Sequence, residues 1–229
     1  MKILKITTIL ALALSLQAAD IVLSSPKGAT VQRISELVLK EAYKNIGVPV
    51  TFVQKPGERS LKESNGGKVD GEVSRVKAIV KKYKNLVMVP VAINYLEGAV
   101  FTKNKKFDVK GWDSIKPYKI GLVRGSKFVE KATKGMNTHP VSSYNQAFKL
   151  LDKGRVDIVV TPYIAGITHL KEAGIKDIVA LKPSIVKLNL YHFLHTKNSN
   201  LVPKLEAELK KMQSSGRIKE IREKFVSSM

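Results

Sequence analysis

The stretch Arg59–Arg75, RSLKESNGGKVDGEVSR, reads as a short helix, a glycine stop at Gly66-Gly67, and a strand beginning Lys68-Val69-Asp70. The same order returns in FKLLDKGRVDIVVTP, as a helix, Gly154, then Arg155-Val156-Asp157 and an apolar strand. A helix–Gly–[Lys/Arg]-Val-Asp–strand unit used twice predicts two similar α/β lobes in one chain. In open α/β sheets, ligands sit beyond the carboxyl ends of the strands. Two such lobes facing each other make a cleft. The residues after the two strands, Ser74-Arg75 and Thr161-Pro162-Tyr163, are expected to point into it.

Strand and helix patterns alternate along the rest of the chain. Strands are expected over Asp20–Ser24, Val50–Val53, Val69–Val73, Leu86–Val89, Gly98–Thr102, Tyr118–Val123, His139–Val141, Asp157–Val160, Asp177–Leu181 and Leu188–Leu194. Helical periodicity covers Thr30–Ile46, ended by Gly47, and the shorter Glu58–Ser64. Ser143 can cap a helix over Tyr144–Lys153, and Pro162 suits the first turn of one over Tyr163–Ala173. Helices over Val202–Ser214 and Ile218–Val226 close the chain. This alternation argues for α/β lobes with mainly parallel sheets.

The first residues read as a cleavable export signal. Lys2 and Lys5 form a basic start, Ile6–Leu16 is apolar, and Gln17-Ala18-Ala19 offers small residues for cleavage. The apolar run is shorter than the roughly 20 residues that a bilayer requires. The chain has no cysteine, which excludes a disulfide and a lipid-bearing cysteine at the cleavage site. The expectation is an exported, periplasmic protein without a lipid anchor. The formal charge of +21 would suggest nucleic acid in an intracellular protein. Export and the scatter of the lysines argue against that. A solvated basic surface, attraction to anionic headgroups, or steering of an anionic solute remain open.

The order and spacing of the exported start, GGKVDGEVSR, the strand-to-helix turn GLVRGS, LLDKGRVDIVV and the closing SGRIKEIREKF resemble the periplasmic solute-binding proteins of the family-3, polar-amino-acid type. These are receptors of ABC importers. The resemblance spans nearly the whole mature chain. It implies a two-lobed, type II periplasmic-binding-protein fold of mixed sheets with flanking helices and a ligand cleft between the lobes. Lobe one would comprise residues 20–98 and 192–229, and lobe two residues 99–191, after a signal peptide over 1–19. Crossings are implied near Gly98 and Tyr191. It also implies that Arg75 lies near the arginine that clamps a ligand carboxylate, at a shorter spacing than usual. Gly125-Ser126 matches the small-residue turn whose amides and hydroxyl receive the same carboxylate. Two positions depart from the pattern. Pro162, preceded by Thr161, stands where amino-acid receptors place an aspartate for the ligand ammonium. Ser24-Ser25-Pro26 stands where an aromatic clamp is expected.

The site candidates are therefore Arg75, Arg59, Glu72, Ser74, Arg124, Gly125, Ser126, Thr161, Tyr163 and Ser25. An arginine fork suits a carboxylate or phosphate, while a surface arginine or an ion pair with Glu72 are the alternatives. Arg124-Gly125-Ser126 opens a helix, where free amides favour an anion. Glu72 lies inside an apolar strand and needs a partner: Arg75, Arg59 or a cationic ligand group. Tyr163 can equally pack. His192 and His195, three apart in a strand, face opposite sides, and His139 and His169 are isolated. No metal-ligand spacing, nucleophile elbow or phosphate loop is present. The leading expectation is a monomeric, non-catalytic receptor without cofactor. It would bind a small carboxylate-bearing solute and be read, when closed, by ABC transporter membrane subunits. The alternatives are a dehydratase-type enzyme with Glu72 as its acid, and a receptor serving a sensor kinase.

Overall fold

The computed structural model describes residues 20–27 and 30–229. The export signal expected over residues 1–19 lies outside the described residues. Two α/β halves share one continuous nine-stranded sheet with the order β2-β1-β3-β9-β4-β7-β5-β6, and β8 pairs with β4 off this path. In the first half β1 (Ile21–Pro26), β2 (Val50–Lys55) and β3 (Gly71–Arg75) run parallel. In the second, β5 (Ile120–Val123), β6 (Thr138–Val141) and β7 (Ile158–Pro162) do the same. Between them pass β4 (Leu86–Thr102) and β9 (Val186–His195), paired with each other and antiparallel to their neighbours.

This corrects two expectations. The sheet is mixed, as the family resemblance implies, and not mainly parallel as the strand–helix alternation alone suggests. The runs Leu86–Val89 and Gly98–Thr102 are the two ends of one 17-residue strand. Register shifts at Met88/Ala92 and Ala92/Asn94 break its hydrophobic alternation, so it reads as two strands. Gly98 sits inside it. A Cβ there would lie 2.8 Å from the Val186 side chain and 2.9 Å from that of Phe128, so any larger residue would force both to shift. β8 shrinks to Val179–Ala180.

Each half has its own core. Helices α1 (Thr30–Asn45), α6 (Val202–Ser214) and α7 (Arg217–Ser227) pack Val38, Leu39, Leu205 and Leu209 onto Leu23, Val73 and Leu194. The opposite face is covered by α2 (Gly57–Asn65) and the 3-10 turn at Lys77–Lys81, around Phe193 and Tyr83. In the second half β7 is buried on both faces. Val159 joins Phe148 and Leu170, from α4 (Tyr144–Asp152) and α5 (Tyr163–Glu172). Ile158 and Val160 join Ile115, Ile120 and Val129, the last from α3 (Lys127–Ala132). That two-sided burial is why LLDKGRVDIVV reads as an unbroken apolar strand.

The repeated Val-Asp unit has one structural meaning in both halves. Gly67 and Gly154 adopt φ of +72° and +65° and end their helices. Each aspartate then locks onto a neighbouring strand. The Asp70 amide donates to the Val22 carbonyl at 2.8 Å, and the Val22 amide donates back to Asp70 Oδ2 at 2.9 Å. Asp157 makes the same reciprocal pair with Lys119, at 2.9 and 2.8 Å. The unit marks where a strand starts, at the end of the sheet away from the strand carboxyl ends.

Candidate functional site

The carboxyl ends of β1 and β3 carry a buried polar layer. Glu72 is fully enclosed, with Ser60 Oγ at 2.7 and 2.9 Å from its two oxygens and Ser64 Oγ at 3.1 Å. Arg75 completes the shell, with Nε donating to Glu72 Oε1 at 2.9 Å and Nη2 lying 2.8 Å from it. Two residues three apart in a strand should face opposite ways. A register shift between Glu72 and Arg75 turns them to the same side. Arg75 Nη2 also donates to the Gly57 carbonyl at 2.9 Å. Burial raises the Glu72 carboxyl above its ordinary range, against the opposing pull of the Arg75 guanidinium and the serine hydroxyls.

Ser74 faces the other side of the sheet. Its Oγ lies 2.9 Å from both Gln32 Oε1 and Ser35 Oγ on α1. The chain of contacts continues into β4, where Asn94 Nδ2 donates to Ser35 Oγ and to the Val31 carbonyl. Asn94 Oδ1 accepts from Arg222 Nη1 of α7 at 2.5 Å, and Arg222 also faces Glu97 at 3.5 Å. Behind β3, His192 is fully buried. Its Nδ1 contacts the Glu72 carbonyl at 2.9 Å and its Nε2 the Tyr43 hydroxyl at 2.9 Å. A carbonyl can only accept, so Nδ1 carries the proton and Nε2 accepts from Tyr43. Burial lowers the His192 pKa to about 4, so the ring is neutral.

Arg59 and the turn Arg124-Gly125-Ser126 do not join this layer. Arg59 lies on the outer face of α2, 70% exposed, and pairs with Glu63 at 2.7 Å. A helical spacing of four directs it there rather than toward Glu72. In the turn Arg124-Gly125-Ser126 both of the later amides already have partners. The Gly125 amide donates to Glu130 Oε1 at 2.8 Å and the Ser126 amide to the Val123 carbonyl at 3.2 Å. The chain's own Glu130 carboxylate takes the Gly125 amide, and α3 behind it has only six residues. Arg124 is exposed and lines a groove between β6 and α4.

In each half, one strand-end hydroxyl is buried with no partner among the described residues: Ser25 Oγ at the end of β1 and Thr161 Oγ1 at the end of β7. Thr161 is followed by Pro162, which pairs with Gly98 in register and heads α5. Tyr163 borders a cavity of about 700 Å³ between the crossing strands, α5 and α7, and the Lys182 ammonium stands 4.6 Å from its ring. Asn94, Glu97, Lys187 and Arg222 share that wall. None of the four was singled out from the sequence. The available signal was the pair Asn94 and Glu97, polar residues inside an otherwise apolar strand. Among the described residues no group of three or more histidines and carboxylates could hold a metal ion, and no helix is long and apolar enough to cross a membrane.

No family model matches the chain. An uncharacterized protein of Shewanella oneidensis is 25% identical over 208 residues, covering 83% of this chain and 75% of its own length. Among solved structures, the GluR0 ligand-binding core in complex with L-glutamate aligns with a TM-score of 0.72 at 14% identity, over 91% of this chain and 99% of that one. A histidine kinase sensor domain with similarity to periplasmic binding proteins gives a TM-score of 0.67 at 16% identity, over 91% and 96%. An ancestral arginine-binding protein bound to arginine gives 0.66 at 20% identity, over 91% and 99%. At these identities the likeness concerns the fold, which is the two-lobed architecture of periplasmic binding proteins.

Proposed function

We propose that this protein is an exported, non-catalytic receptor that holds a small carboxylate-bearing solute between its lobes. The observation that carries the reading is a pair of buried hydroxyls without a partner among the described residues, Ser25 Oγ and Thr161 Oγ1, one at the strand ends of each half. A buried hydroxyl without a partner costs about 1–3 kcal/mol, and strand carboxyl ends are where α/β sheets receive ligands. A ligand oxygen bonded from both sides offsets that penalty and ties lobe to lobe. Arg75 adds charge at the same rim. Its Nε and Nη2 serve Glu72 and Gly57, which leaves Nη1 to the ligand. Pro162 offers no carboxylate, so a ligand ammonium is not the main anchor.

In this reading lobe one comprises residues 20–98 and 192–229, lobe two residues 99–191, and β4 with β9 form the hinge. Residues 1–19 direct export to a periplasm. The closed form is read either by ABC transporter membrane subunits or by a sensor domain. Proteins named for glutamate and arginine binding, and a histidine kinase sensor domain, share the fold, which supports both partners. Catalysis is the weaker reading, because the Glu72 carboxylate is enclosed by Ser60, Ser64 and Arg75.

A thermal-shift screen against amino acids, dicarboxylates and keto acids tests the proposal. A ligand at a hundredfold excess over its dissociation constant adds about 2.7 kcal/mol of stability. Ser25→Ala and Thr161→Val are each expected to weaken that ligand roughly tenfold, at about 1.4 kcal/mol per lost bond, while leaving the unliganded protein at least as stable as before, because the unpartnered hydroxyl is gone. No shift with any carboxylate, or unchanged affinity in both variants, would refute the assignment.

A further inference from the structure

β6 is the last strand of the sheet, and α4 lies beside it. Between them runs a groove of about 400 Å³. Arg124, Lys149, Lys153 and Arg155 line it together with His139 and Gln146, and no carboxylate does. All six are exposed. The carboxylates of this lobe that enter ion pairs do so elsewhere: Asp152 with Lys103, Asp157 with Lys105, Glu130 with Lys127. None of the four groove cations has an ion-pair partner among the described residues.

A general lysine excess does not explain this convergence. Lys149 and Lys153 lie in and just beyond the last turn of α4, where the helix dipole favours cations. Arg155 follows the C-cap of the same helix, its amide bonded to the Leu150 carbonyl at 2.9 Å, whereas Arg124 comes from outside it, after β5, and gains nothing from its dipole. Four like charges around one groove repel each other unless an anion joins them. Two guanidinium forks and two ammonium groups over an apolar floor of Val141 and Leu150 match an oxyanion with several acceptor oxygens. We propose that the β6–α4 groove binds a phosphate-bearing group. The group is a phosphate ester, reaching the groove either on a free solute or in the headgroup of an anionic lipid. The site is separate from the strand-end rim and does not depend on the reading given to that rim.

The purified protein would be titrated with glycerol 3-phosphate by calorimetry. It would also be floated with phosphatidylcholine vesicles, with and without about one third phosphatidylglycerol. The groove variant is Lys149→Glu with Arg155→Glu. The control is Lys204→Glu with Lys211→Glu, two exposed lysines of α6, which changes net charge equally. Wild type is expected to bind one of the two probes, more weakly at high salt. The groove variant should lose at least about tenfold and the control far less. Binding of glycerol 3-phosphate with that pattern supports a free solute. Flotation only with phosphatidylglycerol, again with that pattern, supports a lipid headgroup. No binding of either probe, or equal losses in both variants, overturns the proposal.

Discussion

His192 and Glu72 meet at one backbone carbonyl, yet they oppose each other in their response to pH. The His192 ring is buried and neutral, with a pKa lowered from 6.5 to about 4. The unfolded chain therefore takes up a proton near pH 6.5 that the folded chain refuses until about pH 4. Stability falls as pH drops through that window, by about 3 kcal/mol if His192 acts alone. Glu72 is raised by burial, so the folded chain takes up its proton first. Its contribution is present on the acid side and is lost as pH rises through the raised value. Denaturant titrations between pH 7 and pH 5 should show wild-type stability declining. His192→Asn should flatten the decline, because the buried neutral ring that resists protonation is gone. A slope identical to wild type would show that His192 is not the group responsible. Arg75 belongs to the same enclosure. Arg75→Ala leaves an uncompensated carboxylate and is expected to cost about 3 kcal/mol at pH 7. The deficit should shrink as pH falls and Glu72, raised by burial, takes a proton; a deficit independent of pH would refute the pairing.

Among the elements, the two glycine–Val-Asp units show what sequence can and cannot convey. Their recurrence was legible because helix stop, strand start and aspartate are all local features. That the aspartates lock neighbouring strands was not legible, because Val22 and Lys119 are distant in sequence. The same limit applies to the turn expected to receive an anion. GLVRGS announces a strand-to-helix turn, but nothing in those residues says that Glu130 takes the Gly125 amide. The register shift that brings Arg75 to Glu72, and the two that disguise β4, depend on pairing with β9 and have no local signature. If the two locks are equivalent, their strength should scale with burial. The Asp70 side chain is 18% exposed and that of Asp157 is 36% exposed. Asp70→Ala should cost about 2 kcal/mol and Asp157→Ala about 1 kcal/mol in denaturant midpoints. Equal losses, or a larger loss at Asp157, would contradict a burial-controlled lock.

At the scale of the whole molecule, only β4 and β9 carry the sheet from one half to the other, and α7 holds the first of them at mid-length. Arg222 bonds Asn94 and the Tyr95 carbonyl, faces Glu97, and lies 3.7 Å from the Tyr95 ring. Lys187, opposite Glu97 in register, stands 3.9 Å from the same ring. Glu97 also accepts from Ser184. This cluster ties the C-terminal helix to the segment that must bend if the lobes close, and it walls the 700 Å³ cavity, whose far side is α5 of the other half. Cutting it should free the hinge without opening either core. Arg222→Ala is expected to cost about 2 kcal/mol, because Asn94 and Glu97 lose a charged partner. Its diagnostic effect is local: amide exchange over residues 92–98 and 186–190 should accelerate well beyond the rest of the chain. In small-angle scattering, the unliganded variant should be more open than wild type, and a ligand found by thermal shift should contract both. Exchange that rises uniformly along the chain, with unchanged scattering, would mean that Arg222 stabilises lobe one as a whole and does not hold the hinge.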